Sequence, residues 1–381
     1  MSLPQPSLLK VTRRAMSQMA DRDTPFIRDE WYVVAFGAEL GRSLLRRTLL
    51  DRRLVMFRTS GGEPIALEDR CAHRSYPLSA GRLDGDTVVC GYHGMRFDQR
   101  GDCIEVPSQA ACPKGIGVRR YVLAERGPFV WGWFGEESHA DAARIPATPW
   151  LEEGRWVSSR DYFHLPGNYV SLHENLLDLT HLSYVHANSF GTPDYARAPY
   201  EVESREGRYR ITRSVVPTRL PPVWAEPTGL THEHAARIAT SEFVAPGLHV
   251  VSVRFYDADL DPSARPEFEI RTCHVPTPET HGSTHYFIVH SRDFALEDRA
   301  MTEFMRGQLM GAFREDVEAL SRLEEVLAEH DPERYEISVA ADAPAVAMRR
   351  YLLRRAPAAA QRDDPSDADA DRPSVGRLTP R

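Results

Sequence analysis

Two short pairs, Cys71-Ala72-His73 and Cys90-Gly91-Tyr92-His93, and a longer run from Asn175 to His186 hold the residue types that bind transition metals. Thiolates and imidazoles suit zinc or an iron-sulfur cluster equally well. Sixteen residues separate the two Cys/His pairs. Each pair is expected in a loop at a strand end, so two fingers could close on metal from opposite sides. Zinc sites usually pair Cys with Cys and His with His. Here each finger offers one of each, which fits two metal ions with unlike ligands, thiolates on one iron and imidazoles on the other.

In the second run, Asn175, Asp178 and His181 fall at spacings of three, so on a helix they share one face. Leu176, Leu177, Leu179 and Leu182 cover much of the remainder. A helix apolar nearly all round is buried, and its polar groups then need partners inside the protein. His186 follows His181 by five residues, about 140° on an ideal helix. Both rings reach one metal only if the helix bends, ends or takes a π-bulge between them. The bland reading is a core helix with a few satisfied polar groups.

A carboxylate for the same site is found far along the chain. The stripe Leu309, Phe313, Asp316, Leu320, Leu323 and Leu327 advances by three or four residues, so Asp316 lies on an otherwise apolar helical face. An unpaired buried carboxylate is costly, so Asp316 needs a cation, either a metal or an arginine. Glu315 and Glu318 are rotated away from that face and read as solvated. His249, His274, His285 and His290 lie on expected strands and read as core or surface residues.

The elements that must position these groups divide the 381-residue chain in two. Residues 1–24 are polar and aperiodic and read as a mobile arm. Residues 25–140 alternate short β-rich runs with turns, including hairpins of Arg53–Thr59 with Pro64–Glu68 and of Tyr121–Ala124 with Phe129–Phe134. An Ala-, Pro- and Asp-rich stretch over 136–150 marks the boundary. Residues 150–355 carry a strand at Trp156–His164, further strands to His290, a long helix over Glu297–Glu329 and a shorter one near Pro344–Arg355. The class is α+β, an N-terminal antiparallel β domain followed by an antiparallel sheet wrapped on the long helix, with a cavity between them. Residues 356–381 read as a disordered tail.

Composition narrows the setting. Hydrophobic residues at 42% and charged residues at 27% are ordinary for a globular protein, and a formal charge of −8 disfavours nucleic acid or an anionic membrane as partner. No apolar run is long enough to span a bilayer, and the polar start does not resemble a signal h-region. A cytoplasmic location is expected. Five cysteines in so long a chain argue against a disulfide framework.

The segments Cys71-Ala-His-Arg-Ser-Tyr-Pro-Leu-Ser-Ala-Gly81 and Cys90-Gly-Tyr-His-Gly-Met-Arg-Phe-Asp-Gln-Arg-Gly-Asp-Cys103 resemble the ferredoxin domain of Rieske non-haem iron oxygenases, with Met95 where many relatives have Trp. Asn175, Asp178, His181 and His186 match the mononuclear iron motif of the same family, and Phe313–Glu318 resembles its ligand-bearing segment. The resemblance covers residues 26–355 and is nearest to the vanillate O-demethylase and dicamba monooxygenase branch. It implies a helix-grip catalytic domain, a [2Fe-2S] cluster on Cys71, His73, Cys90 and His93, and mononuclear Fe(II) on His181, His186 and Asp316. Asn175 is implied to sit beside the open coordination position. Asp178 is implied to accept hydrogen bonds from His181 and from His93 of a neighbouring subunit, because the two metals of one chain are too far apart; a homotrimer follows. The implied reaction takes electrons from NAD(P)H through a separate ferredoxin or flavin reductase. It uses O2 to hydroxylate a methoxy-aromatic acid, which then loses formaldehyde. Ring dihydroxylation or N-demethylation on the same machinery is the alternative, and an electron carrier without oxygenase activity is the remote one.

Overall fold

In a computed structural model, residues 9–11, 19–329 and 336–356 are described. Two compact units emerge: Pro25–Ala142, and a second formed by residues up to Thr24 together with Ala143–Arg355.

The first unit is antiparallel β throughout. One sheet orders Arg120–Tyr121, Pro64–Glu68, Arg52–Arg58 and Leu45–Leu49; a second orders Leu123–Arg126, Phe129–Trp133 and Trp31–Phe36. A third joins Arg82–Asp84, Thr87–Val89, Arg96–Phe97 and Cys103–Glu105. The hairpin expected at 53–68 is present with its partners in register. The strand expected over Tyr121–Ala124 is instead divided: Tyr121 pairs with Ala66 and Leu123 with Gly132, in different sheets. A short run with apolar residues on both sides has no period by which to show that it changes partners.

The second unit holds a seven-stranded antiparallel sheet made of β1 (Val157–Leu165), β2 (Tyr200–Arg205), β3 (Arg208–Thr218), β4 (Ala235–Val244), β5 (Leu248–Asp257), β6 (Glu267–Thr280) and β7 (Ser283–Arg292). Its order is β1-β7-β6-β5-β4-β3-β2, so β7 returns to pair with the first strand while the others follow as a meander. Helices are α1 (Tyr169–Leu177), α2 (Pro222–Thr228), α3 (Arg299–Ala328) and α4 (Ala343–Arg355). Met305, Leu309, Ala312, Phe313 and Leu320 of α3 share one core with Leu172 and Leu176 of α1 and with Ile211, Ala239, Val253, Ile270 and Ile288 of the sheet. Among the described residues, no helix is long and apolar enough to cross a membrane.

Two expectations need correction here. Within the segment read as a mobile arm, Leu9–Val11 pair antiparallel with Glu336–Ser338, and Met19, Ala20 and Thr24 are buried, with Arg349 donating to the Ala20 carbonyl at 2.6 Å. The described part of the arm is therefore docked; residues 1–8 and 12–18, like the tail from 357 onward, lie outside the described residues. The apolar stripe of α3 also stops early. Leu323 is 42% exposed, whereas Glu324 is buried with its carboxylate accepting from Ser171 at 2.6 Å.

The chain leaves α1 through a loop that Gly191 closes. Its amide donates to the His186 carbonyl at 2.9 Å, and a Cβ there would collide with the Leu182 carbonyl oxygen. Gly191→Ala is expected to lower stability by about 1–3 kcal/mol, the usual cost of overpacking. The check is the urea midpoint, with loss of iron retention accompanying the shift.

Candidate functional site

The two fingers of the first unit are built alike. Cys71 accepts from the Ser75 amide at 3.0 Å and donates to Tyr76 at 2.8 Å; Cys90 accepts from Gly94 at 3.0 Å and donates to Met95 at 2.8 Å, all through the main chain. The fourth residue after each cysteine takes a left-handed conformation, Ser75 at φ 56° and Gly94 at φ 74°. Both thiols are buried and both imidazoles exposed, with the His73 and His93 ring centroids 4.7 Å apart. Burial, with Cys90 beside it, raises the Cys71 pKa. A bound metal would hold such a thiol pair as thiolates.

Among the described residues, no three of these four bring ligand atoms within 4.8 Å of one another. The set therefore does not close on a single ion, which disfavours zinc. It fits a two-iron cluster with cysteines inside and histidines at the open end.

The second site gathers side chains from three places. Asn168 caps the start of α1 by accepting from Val170 at 2.8 Å. The helix then ends rather than bends: Asp178 is extended (φ −105°, ψ 94°), Leu179–Ser183 form a tight 3-10 turn, and His186 lies in the loop beyond. Asn175, Asp178 and His181 thus do not share one continuous α-helical face, and the awkward five-residue spacing is met by ending the helix.

His181 and His186 converge on Asp316, with Nε2 at 3.4 Å and 3.1 Å from its Oδ1. These three groups are the described set whose ligand atoms all lie within 4.8 Å of one another. Each imidazole is held by its other nitrogen. His181 Nδ1 bonds the Asp178 main-chain carbonyl, and His186 Nδ1 bonds Glu315 Oε2 at 2.8 Å. Both partners are acceptors, so each Nδ1 carries a proton, and Nε2, which donates to Asp316 when it too is protonated, is the nitrogen that would face a bound cation. Burial alone would raise the Asp316 pKa, but hydrogen bonds and charge from His181 and His186 hold it far below the usual range. Burial works the other way on His186, where Asp316 and Glu315 outweigh it and raise the pKa. Two imidazoles and one carboxylate with room beside them fit mononuclear Fe(II).

Asn175 donates to Asp316 Oδ1 at 3.3 Å, and its own Oδ1 is buried without a partner. The hydrogen bond expected from His181 to the Asp178 side chain is made by the Asp178 main chain instead, because the carboxylate caps the 3-10 turn by accepting from Thr180 at 2.8 Å. Glu315 is the clearest correction. It was read as solvated, yet it accepts from His186 and, at 2.8 Å, from Ser189. Helical rotation places Glu315 off the apolar face but says nothing of the loop that folds over it. The four histidines set aside are all buried; His274 alone of them reaches the cavity.

Beside the triad is a cavity of about 60 Å³. Leu179, Leu182, Phe190, Trp224, Val251 and Phe313 are among the apolar side chains of its wall, with Asn175, Arg237, Thr272 and His274 among the polar ones. Phe190 stacks on the His186 ring at 4.5 Å. Burial pushes the His274 pKa down to about 4, so its ring is neutral, bonded to the Tyr286 hydroxyl at 2.5 Å. On the other side Asn175, Asp178 and His181 also border an open cleft of about 380 Å³, with Glu174, Leu320 and Arg349.

Fold and sites together define a Rieske non-haem iron oxygenase, an oxidoreductase with a [2Fe-2S] cluster and a mononuclear iron centre. Residues 30–121 match the Rieske [2Fe-2S] domain family, and residues 165–358 match the vanillate O-demethylase oxygenase C-terminal domain. The chain belongs to the vanillate O-demethylase branch of the Rieske oxygenases. A toluene-4-sulfonate monooxygenase system iron-sulfur subunit of Comamonas testosteroni is 33% identical over 87% of this chain and 96% of its own length. The oxygenase component of dicamba O-demethylase from Stenotrophomonas maltophilia is 32% identical over 78% of this chain and 88% of its own. The crystal structure of dicamba monooxygenase bound to 3,6-dichlorosalicylic acid superposes with a TM-score of 0.81 at 28% identity, covering 87% of this chain and 98% of that one.

Replacing Glu315 by Gln removes the charged acceptor that orients His186. The expected result is iron affinity about 10–100-fold weaker in chelator competition, the usual cost of losing such a partner, with the cluster's visible absorption unchanged.

Proposed function

We propose that this chain is the oxygenase component of a system that demethylates a methoxy-aromatic acid, using O2 and electrons from NAD(P)H delivered by a separate reductase. The observation that carries it is the His181–His186–Asp316 triad beside a largely apolar cavity, in a chain whose relatives include oxygenase components of vanillate and dicamba O-demethylases. In this reading Cys71, His73, Cys90 and His93 would hold the cluster, and His181, His186 and Asp316 would hold an iron that supplies O2 activation.

The cavity wall excludes water and faces the methyl group toward the triad, while Asn175 bonds Asp316 beside the open position. The balance is Ar–O–CH3 + O2 + 2 electrons + 2 H+ giving Ar–O–CH2OH + H2O; the hemiacetal then breaks its O–CH2 bond to release the phenol and formaldehyde.

Electron delivery is proposed to cross between subunits of a homotrimer, at Asp178. Its Oδ1 accepts within the chain from Thr180, and the residue borders the cleft, which leaves Oδ2 as the oxygen for a second donor. That oxygen is free to accept from His93 of a neighbouring subunit. A cytoplasmic setting, where NAD(P)H is at hand, is part of the same proposal.

A second reading is hydroxylation of a ring methyl group. It is favoured by the 33% identity to the toluene-4-sulfonate monooxygenase subunit. The bond attacked is again a methyl C–H, but the product is a stable benzylic alcohol.

The test supplies a compatible reductase, NADH and O2 across methoxybenzoates and methylbenzenesulfonates. Formaldehyde in proportion to O2 consumed supports demethylation, a benzylic alcohol supports the second reading, and a cis-diol from the ring overturns both. Asp316→Ala is expected to lower iron from about three to about two per chain, leaving the cluster in place. Full retention of three irons would remove Asp316 from the ligand set.

A further inference from the structure

The cavity beside the triad contains one permanent cation. Arg237 enters it from β4, where it occupies the inward register shared with Ala239, Ser241 and Phe243. It is 2% exposed, and among the described residues no carboxylate lies within ion-pair distance of it. The one carboxylate in the cavity wall, Asp316, is committed to His181 and His186. Among the described residues, only one of the guanidinium's five N–H groups has a partner, one on Nη1 donating to the Phe190 carbonyl at 3.1 Å, and Nε is buried with none. The Tyr195 ring lies 4.7 Å from the guanidinium carbon and covers one face.

A buried charge with most of its donors unused is costly unless something completes it. Burial lowers the Arg237 pKa, and Tyr195 and Asp194, acting at longer range, only partly oppose this. A guanidinium presents parallel N–H groups matched to the paired oxygens of a planar or tetrahedral acid.

We propose that Arg237 is the anchor for the substrate's acid group, a carboxylate or a sulfonate on a single aromatic ring, and so a specificity-determining residue of this oxygenase. The proposal rests on the reading that this cavity receives the substrate. At about 60 Å³ the cavity is smaller than the roughly 150 Å³ that accommodates a benzene ring, so a single-ring acid enters only as the wall side chains move apart, and a fused system is disfavoured further. Anion and Phe190 carbonyl would hold the guanidinium from two sides. Phe190 in turn stacks on His186, so a bound acid is tied to the wall of the metal site. A purely structural role, bracing Phe190 and stacking on Tyr195, would leave the choice between charged and neutral ligands untouched.

The test is equilibrium dialysis of the iron-loaded full chain, without O2 or reductant, against 4-methoxybenzoate, 4-methylbenzenesulfonate and neutral 4-methoxybenzamide. The wild type is expected to bind at least one of the two anions roughly 30-fold or more tightly than the amide, as expected for a desolvated charge pair. Which anion binds separates carboxylate from sulfonate. Arg237→Gln should abolish that preference while leaving amide binding within about threefold, and Arg237→Lys should keep part of it. Equal binding of acid and amide by the wild type overturns the proposal, as does an equal loss of both in the Gln variant. If the Gln variant does not fold by near-UV circular dichroism, the wild-type ratio and its partial retention in the Lys variant decide. Anion binding that depends on Arg237 without formaldehyde release would sink the demethylase reading alone. Demethylation of neutral methoxyarenes as efficiently as of acids would sink Arg237 alone.

Discussion

The Asp316 carboxylate, buried on the apolar face of α3, is the constraint around which the second unit is arranged. A charge out of water persists only with a closely placed counter-charge and filled hydrogen bonds. Here the partners are two imidazoles from a distant part of the chain, and a regular helix could not deliver both. The break at Asp178 therefore follows from the carboxylate as much as from local sequence. Packing then fixes the geometry: Leu309, Phe313 and Leu320 lock α3 into the core that also holds Leu172 and Leu176 of α1. Neither helix can slide without opening the triad.

How much of this the sequence disclosed depends on how local each feature is. The two fingers were legible because each is closed by main-chain bonds within six residues of its cysteine, so residue type and spacing carry nearly all the information. Asp316 was legible for another reason, since a polar residue in an apolar helical period must be paired with something. Glu315 was not, because its partners, His186 and Ser189, arrive on a loop that no periodicity describes. Leu323 misled in the opposite sense: the period continues along α3, but the elements that cover it do not, and Ser171 takes Glu324 instead. Arg237 left a signal that the reading passed over. In β4 the alternation places it with Ala239 and Phe243, and an arginine on the inner face of a strand is as anomalous as an acid on the inner face of a helix.

The helix end at Asp178 does more than bring two rings together. Asn175 and His181 border both the cavity and the cleft, so this short break lies between them. On the cavity side, aliphatic and aromatic walls strengthen every charge interaction by excluding water. On the cleft side, Glu174, Asp178 and Arg349 present hydrogen-bonding groups to whatever approaches. An oxygenase of the proposed kind needs both conditions at one metal: a dry face for the bond being oxidised and a polar face through which electrons and protons arrive. A single buried helix could not present two such faces, because its main-chain donors and acceptors are consumed along its length. Ending α1 one turn before His181 frees the Asp178 carbonyl to hold His181 while its carboxylate caps the following turn. Where the helix stops thus sets which of its residues line the cavity and which line the cleft.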